Sequence, residues 1–171
     1  GWFEYLSGNG AAAVKLLANA AARQNGQPRA MTLFYRGAIL NRLGQYEEAL
    51  MSLNGALTER DDLILAVEEK GESLWQLGRK DEAMVVWKDA LQRNPRLVLA
   101  NNELAGASSL LGRSQDMTAY ERQADQSTPP DPLYHWTIGL RLQGLGMDEM
   151  AEKHFQTAIQ LNPEFQELRQ H

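Results

Sequence analysis

The sequence predicts an all-α protein, a solenoid of stacked helix–turn–helix repeats. Three observations carry that prediction. A Leu-Gly dipeptide recurs four times at a fixed spacing of 34 residues, as Leu43-Gly44, Leu77-Gly78, Leu111-Gly112 and Leu145-Gly146. A period of this size marks a supersecondary unit too small to cover its own apolar face, which therefore stacks on the next unit. Small residues recur with the same period on both sides of that turn, Gly37, Gly71, Ala105 and Gly139 before it and Ala56, Ala90, Ala124 and Ala158 after it. Finally, Asn94-Pro95 and Asn162-Pro163 close two of the units, since the residue before a proline avoids the helical region.

The fullest copy runs from Ile64 to Leu97 and carries Gly71, Leu77-Gly78, Ala83, Trp87, Ala90 and Pro95. The last copy repeats the set as Gly139, Leu145-Gly146, Ala151, Phe155, Ala158 and Pro163. This pattern resembles the tetratricopeptide repeat (TPR). The resemblance implies a right-handed superhelix whose first helices line a concave groove. It covers Ala30 to Phe165 in full repeats. The copy from Ala30 departs from it at Leu53 and Asp61, and the copy from Val98 departs most, with Met117 for the first alanine and Glu121 for the aromatic.

On this lattice residues 1–29 are a truncated N-terminal repeat or cap. Residues 30–63, 64–97, 98–131 and 132–165 are four full repeats, the third degenerate, and 166–171 begin a C-terminal capping helix. Alanine-rich Ala11 to Arg23 predicts the first complete helix, closed by Asn25-Gly26-Gln27-Pro28. Gly10 falls on the place of the turn glycine, and Trp2 and Phe3 would cap the apolar end of the stack. Gly1 where a start Met would stand, with a first repeat cut short, suggests a parent chain that continues upstream. Helix pairs follow at about 30–43 and 46–58, 63–77 and 80–93, 97–111 and 114–125, and 132–145 and 148–161. The second helix of the third pair has only Met117, Tyr120 and Ala124 to turn inward. Pro129, Pro130 and Pro132 make a stiff connection after it. Phe165 and Leu168 would cover the last repeat. Gly71→Leu should overpack the crossing of its helix pair and cost about 1–3 kcal/mol; an unchanged thermal melt would refute that account of the site.

The chemistry legible in the sequence is that of a surface. A net charge of −5 does not suit nucleic acid or an anionic membrane, and no apolar run is long enough to span a bilayer. With no cysteine there is neither a disulfide nor a thiolate site, which leaves cytoplasm and periplasm both open. No nucleophile elbow, phosphate loop or metalloprotease motif is present, so neither an enzyme nor a cofactor is expected. The histidines, His135, His154 and His171, share no ligand spacing, and His135 stands where the family usually places a packing residue.

The resemblance implies a protein–protein interaction module that takes a peptide or helix of a partner in the groove, as an assembly scaffold or adaptor. The short turns have a bacterial style. Carried over position by position, the groove would show Phe34, Arg42, Glu68, Glu72, Trp75, Asn102 and Trp136. Phe34, Trp75 and Trp136 are large aromatics at places the repeat core does not require, the type that anchors partners. Glu68 and Glu72, with Glu69 and Glu103 near, make an acidic wall. Like charges four apart mildly destabilise a helix, which points to a basic partner segment, and with the aromatics the expected partner is a basic or apolar segment. Two other readings remain: a regulatory or substrate-docking region of a larger enzyme, and a self-assembling protein. In the latter, Trp2-Phe3 of one copy meets the Phe165–Leu168 end of another, and such head-to-tail contacts make filaments when they do not close.

Overall fold

The computed structural model describes residues 8–169. Among them are helices α1 (Gly10–Ala21), α2 (Gly26–Arg42), α3 (Tyr46–Glu59), α4 (Ile64–Gln76), α5 (Lys80–Arg93), α6 (Val98–Leu110), α7 (Ser114–Asp125), α8 (Pro132–Gly144), α9 (Asp148–Leu161) and the short α10 (Phe165–Leu168). No strand occurs among the described residues, and the fold is all-α with helices packed in successive pairs. Trp2, Phe3 and His171 lie outside the described residues.

The Leu-Gly dipeptides are helix stops of one kind. Gly44, Gly78, Gly112 and Gly146 have φ of 72°, 76°, 67° and 72°, a left-handed backbone that glycine adopts without a Cβ penalty. In each, the glycine N–H donates three residues back and the next N–H donates five back. Gly44 N donates to Asn41 O (3.0 Å) and Gln45 N to Leu40 O (2.9 Å), and Gly146 N and Met147 N do the same to Gln143 O and Leu142 O (2.9 Å each). This is the Schellman arrangement, which satisfies carbonyls the helix end leaves over. The recurring sequence mark is thus a recurring backbone requirement.

The described residues form two compact units that meet in sequence between residues 86 and 87. In the first, α1 packs on α2, α2 on α3, and α4 on both α2 and α3. Its core gathers Phe34, Leu40, Ala49, Leu53, Ala56, Leu63 and Ala66. In the second, α6 pairs with α7 and α8 with α9, and α6 also meets α8 and α9. On α7 only Ala124 is buried, with Met117 and Tyr120 half-buried.

Two boundaries differ from expectation. The left-handed glycine before α1 is Gly8, with φ of 84°, not Gly10, which opens the helix after Asn9. The Asn9 side chain accepts from Ala12 N (3.2 Å), and an Asn cap of this kind fixes a helix start. Helix α2 begins at Gly26, a turn ahead of the predicted start. Pro28 is tolerated there because a first-turn N–H has no helical partner. The Gly26 N–H is taken by Glu59 Oε2 of α3 at 2.9 Å, and Arg29 Nη1 meets Glu59 Oε1 at 2.9 Å.

Candidate functional site: the face of the first helices

The first helix of each pair, α2, α4, α6 or α8, carries the residues expected to meet a partner. The three aromatics correct that expectation, since each keeps less than a tenth of its surface exposed. Phe34 belongs to the core of the first unit and lies with its ring centroid 5.1 Å from that of Tyr35. Trp136 is held against Phe155 at 4.8 Å and Phe165 at 5.5 Å. Trp75 is buried, with Lys80 Nζ 5.0 Å from its ring centroid. A side chain already desolvated within its own chain has little apolar area left for a partner. Phe165 lies against Trp136, while Leu168, the other residue expected to cover the last repeat, is left exposed.

The acidic wall is also used internally. Arg42 Nη1 pairs with Glu72 Oε1 at 2.9 Å, and its Nη2 pairs with Glu69 Oε1 at 3.2 Å. Beneath, Asn41 Nδ2 donates to Glu69 Oε2 (2.9 Å) and to the Glu69 carbonyl (3.0 Å), and Ser73 Oγ donates to Asn41 Oδ1 (2.6 Å). In the second unit Arg141 Nε lies 2.8 Å from Glu103 Oε1. Glu68, Glu69, Glu72 and Glu103 are all buried, and a buried carboxylate is tolerable only when paired and hydrogen-bonded. The arginines of this chain therefore already supply cations that the acidic pattern had pointed to in a partner. Of the predicted residues, Arg42 and Glu72 come together.

Asn102 faces inward and begins a chain of polar contacts. Its Nδ2 donates to Val98 O (2.9 Å), so its Oδ1 is the acceptor for His154 Nε2 at 2.7 Å. His154 must then carry its proton on Nε2 when neutral, which leaves Nδ1 to accept. His135 Nδ1 stands 3.0 Å from that atom and donates to it. Burial, followed by the charges of His135 and Lys153, pushes His154 down to about 4. His135 is also lowered by burial, against the raising influence of Asp125 and Asp131. Sequence reading missed this pair. Its only signal is a histidine in register with Ser52, Val86 and Tyr120 of the other repeats.

What this face leaves exposed is leucine. On α8, Leu133 and Leu140 keep 63% and 52% of their surface, and Leu110 on α6 keeps 53%. Leu133 and Leu140 are seven apart, so they share one stripe of the helix. Leu65, in register with Leu133, is exposed on α4. Among the described residues no cluster of three or more His, Asp or Glu is arranged to hold a metal, and no helix is long and apolar enough to cross a membrane.

Stacked helix pairs closed by left-handed glycines define a repeat protein, and the fold is that of the tetratricopeptide-repeat proteins. A thermophilic TPR protein from Thermus thermophilus matches with a TM-score of 0.69 at 20% identity, over 96% of this chain and 89% of that one. MamA from Desulfovibrio magneticus RS-1, from its residue 41 onward, matches with a TM-score of 0.67 at 20% identity, over 95% and 91%. A further MamA structure gives 0.68 at 17% identity, over 94% and 93%. No protein-family model and no curated protein matches the sequence.

Proposed function

We propose that this chain is a non-catalytic protein-interaction module, an assembly scaffold or adaptor. In this reading it receives an apolar peptide or amphipathic helix on the first-helix face of its second unit. The observation that carries the reading is the leucine stripe Leu133–Leu140, with Leu110 on the neighbouring α6, exposed while the large aromatics Phe34, Trp75 and Trp136 of the first helices are buried. A pair of leucines two turns apart on one helix suits a partner that offers its own apolar residues at helical spacing. The partner's character is apolar rather than basic, because Arg42 and Arg141 already answer carboxylates of the acidic wall.

The test is a peptide-display selection against the whole chain, with hits measured on the parent and on the Leu133→Ser, Leu140→Ser variant. Both positions are exposed, so the variant should melt like the parent. Burying a leucine side chain is worth about 1.5–3 kcal/mol, so binding should weaken by at least about tenfold. Hits bound equally by both proteins, or no hits from a diverse library, would refute the reading.

A further inference from the structure

We propose that His135, His154 and Asn102 form a pH-operated latch that fastens the α8–α9 pair to α6 at neutral pH and loosens it in mildly acidic solution. The three side chains come from three helices, α8, α9 and α6, and are joined end to end through bonds of 3.0 and 2.7 Å. In the neutral state every contact in the chain has a donor and an acceptor. Asn102 gives to the Val98 carbonyl and takes from His154 Nε2–H, and His154 Nδ1 takes from His135 Nδ1–H.

The first added proton fits. It enters on His135 Nε2 and leaves the Nδ1–H donation in place, and Asp125 and Asp131 attract the charge. The second does not fit. His154 has only Nδ1 left to protonate, so two N–H groups would point at each other across 3.0 Å. Two imidazolium rings would lie with centroids 5.2 Å apart. The neighbouring charges offer His154 little relief. Lys153 adds to the repulsion, Glu121 of α7 is bound to Lys153 at 2.5 Å, and Glu103 of α6 is bound to Arg141. Asp131 spends its carboxylate on the N–H groups of Leu133 and Tyr134 at the start of α8. Among the described residues no carboxylate is bonded to either histidine ring.

The direction follows from linkage. His154 binds its proton more weakly when folded than when exposed, so the folded arrangement is fully favoured above the ordinary histidine range near 6.5. It loses that advantage as pH falls toward the folded value of about 4. Between pH 7.5 and 5 the opening equilibrium should rise by about thirtyfold through this one group. All three histidines of the chain lie in residues 87–171, so the first unit serves as an internal reference.

Amide hydrogen exchange of the whole chain tests the latch, with protection factors compared at pH 7.5 and pH 5 after correction for intrinsic exchange. The expected result is a loss of protection in α6, α8 and α9 of the order stated, with α2 and α3 holding theirs. His154→Gln keeps an N–H for Asn102 and cannot take the charge, so it should flatten the response. Nitrogen-15 shifts of the parent give a second measure that does not depend on any variant. His154 should be the Nε2–H tautomer at pH 7.5 and still neutral at pH 5. Equal responses of the two units, an undiminished response in His154→Gln, or a His154 that is cationic at pH 6 would each overturn the proposal. Should His154→Gln not fold, the exchange pattern and the shifts of the parent decide.

Discussion

Arg141→Met should lower stability by about 3–5 kcal/mol, the usual consequence of leaving one member of a buried ion pair behind. Glu103 has no exposed surface, and the Arg141 side chain keeps 12% of its own. Without the guanidinium, a fully buried carboxylate has lost the ion-pair partner 2.8 Å from its Oε1. The design of the pair can be separated from its charge by the Glu103→Met, Arg141→Met double variant. An apolar pair of similar volume in the same place is often neutral or stabilising, so the double variant should recover most of what the single one lost. Arg42→Met is the contrast. Its side chain is 43% exposed although it meets two carboxylates, and solvent weakens such pairs, so the loss should be nearer about 1 kcal/mol. Urea unfolding of the four proteins measures all three differences. A loss below about 1 kcal/mol for Arg141→Met, on the scale of an exposed pair, would overturn the account of Arg141 as the group that neutralises Glu103 in the acidic wall.

The division between what the sequence discloses and what it hides runs along the distance over which each residue's constraint acts. Leu43-Gly44 and its three copies are dictated by their own backbone. The left-handed glycine and the two bonds that follow it involve only residues within one helix end, so the helix pairs can be placed from the sequence alone. The start of α2 was hidden because its first N–H is satisfied by Glu59, 33 residues away. The pairs Arg42–Glu69 and Arg141–Glu103 join neighbouring repeats, and no local pattern in either partner announces the other. Glu68, Glu69 and Glu72 therefore read as mutual repulsion on an open wall, when Arg42 supplies the charge that relieves it. The aromatics mislead for a related reason. Phe34, Glu68, Asn102 and Trp136 occupy one lattice position, and a place that accepts both Glu and Trp looks unconstrained. Its constraint is set separately in each repeat by the side chains across from it, Phe155 and Phe165 for Trp136 and His154 for Asn102.

Gly139→Leu is the substitution that most directly tests whether small residues hold the helix crossings. A Cβ at Gly139 would stand 2.6 Å from Phe155 Cε1 and 2.8 Å from its Cδ1. The ring has little room to yield, with the Trp136 ring centroid at 4.8 Å and the Arg169 guanidinium 4.6 Å from its centroid. Overpacking of this kind costs typically about 1–3 kcal/mol, and a full leucine against a ring already in contact with Trp136 and Arg169 belongs at the upper end. Helix propensity acts the other way, because leucine is a better helix former than glycine by up to about 1 kcal/mol. The two effects separate on the same helix. Gly144 has no atom within 4 Å of a would-be Cβ, so Gly144→Ala should gain about 0.4–1 kcal/mol through propensity and the stiffer unfolded chain. Gly37→Leu in the first unit should lose like Gly139→Leu, since its Cβ would meet Leu53 Cγ at 2.6 Å and the Ala49 carbonyl at 3.3 Å. Leu53 is more adaptable than that ring, so the loss there should be the smaller of the two. Thermal and urea unfolding of the three variants would give opposite signs for Gly144 and Gly139. A Gly139→Leu protein that melts at or above the parent would show that the glycines recur for some reason other than the closeness of the helices.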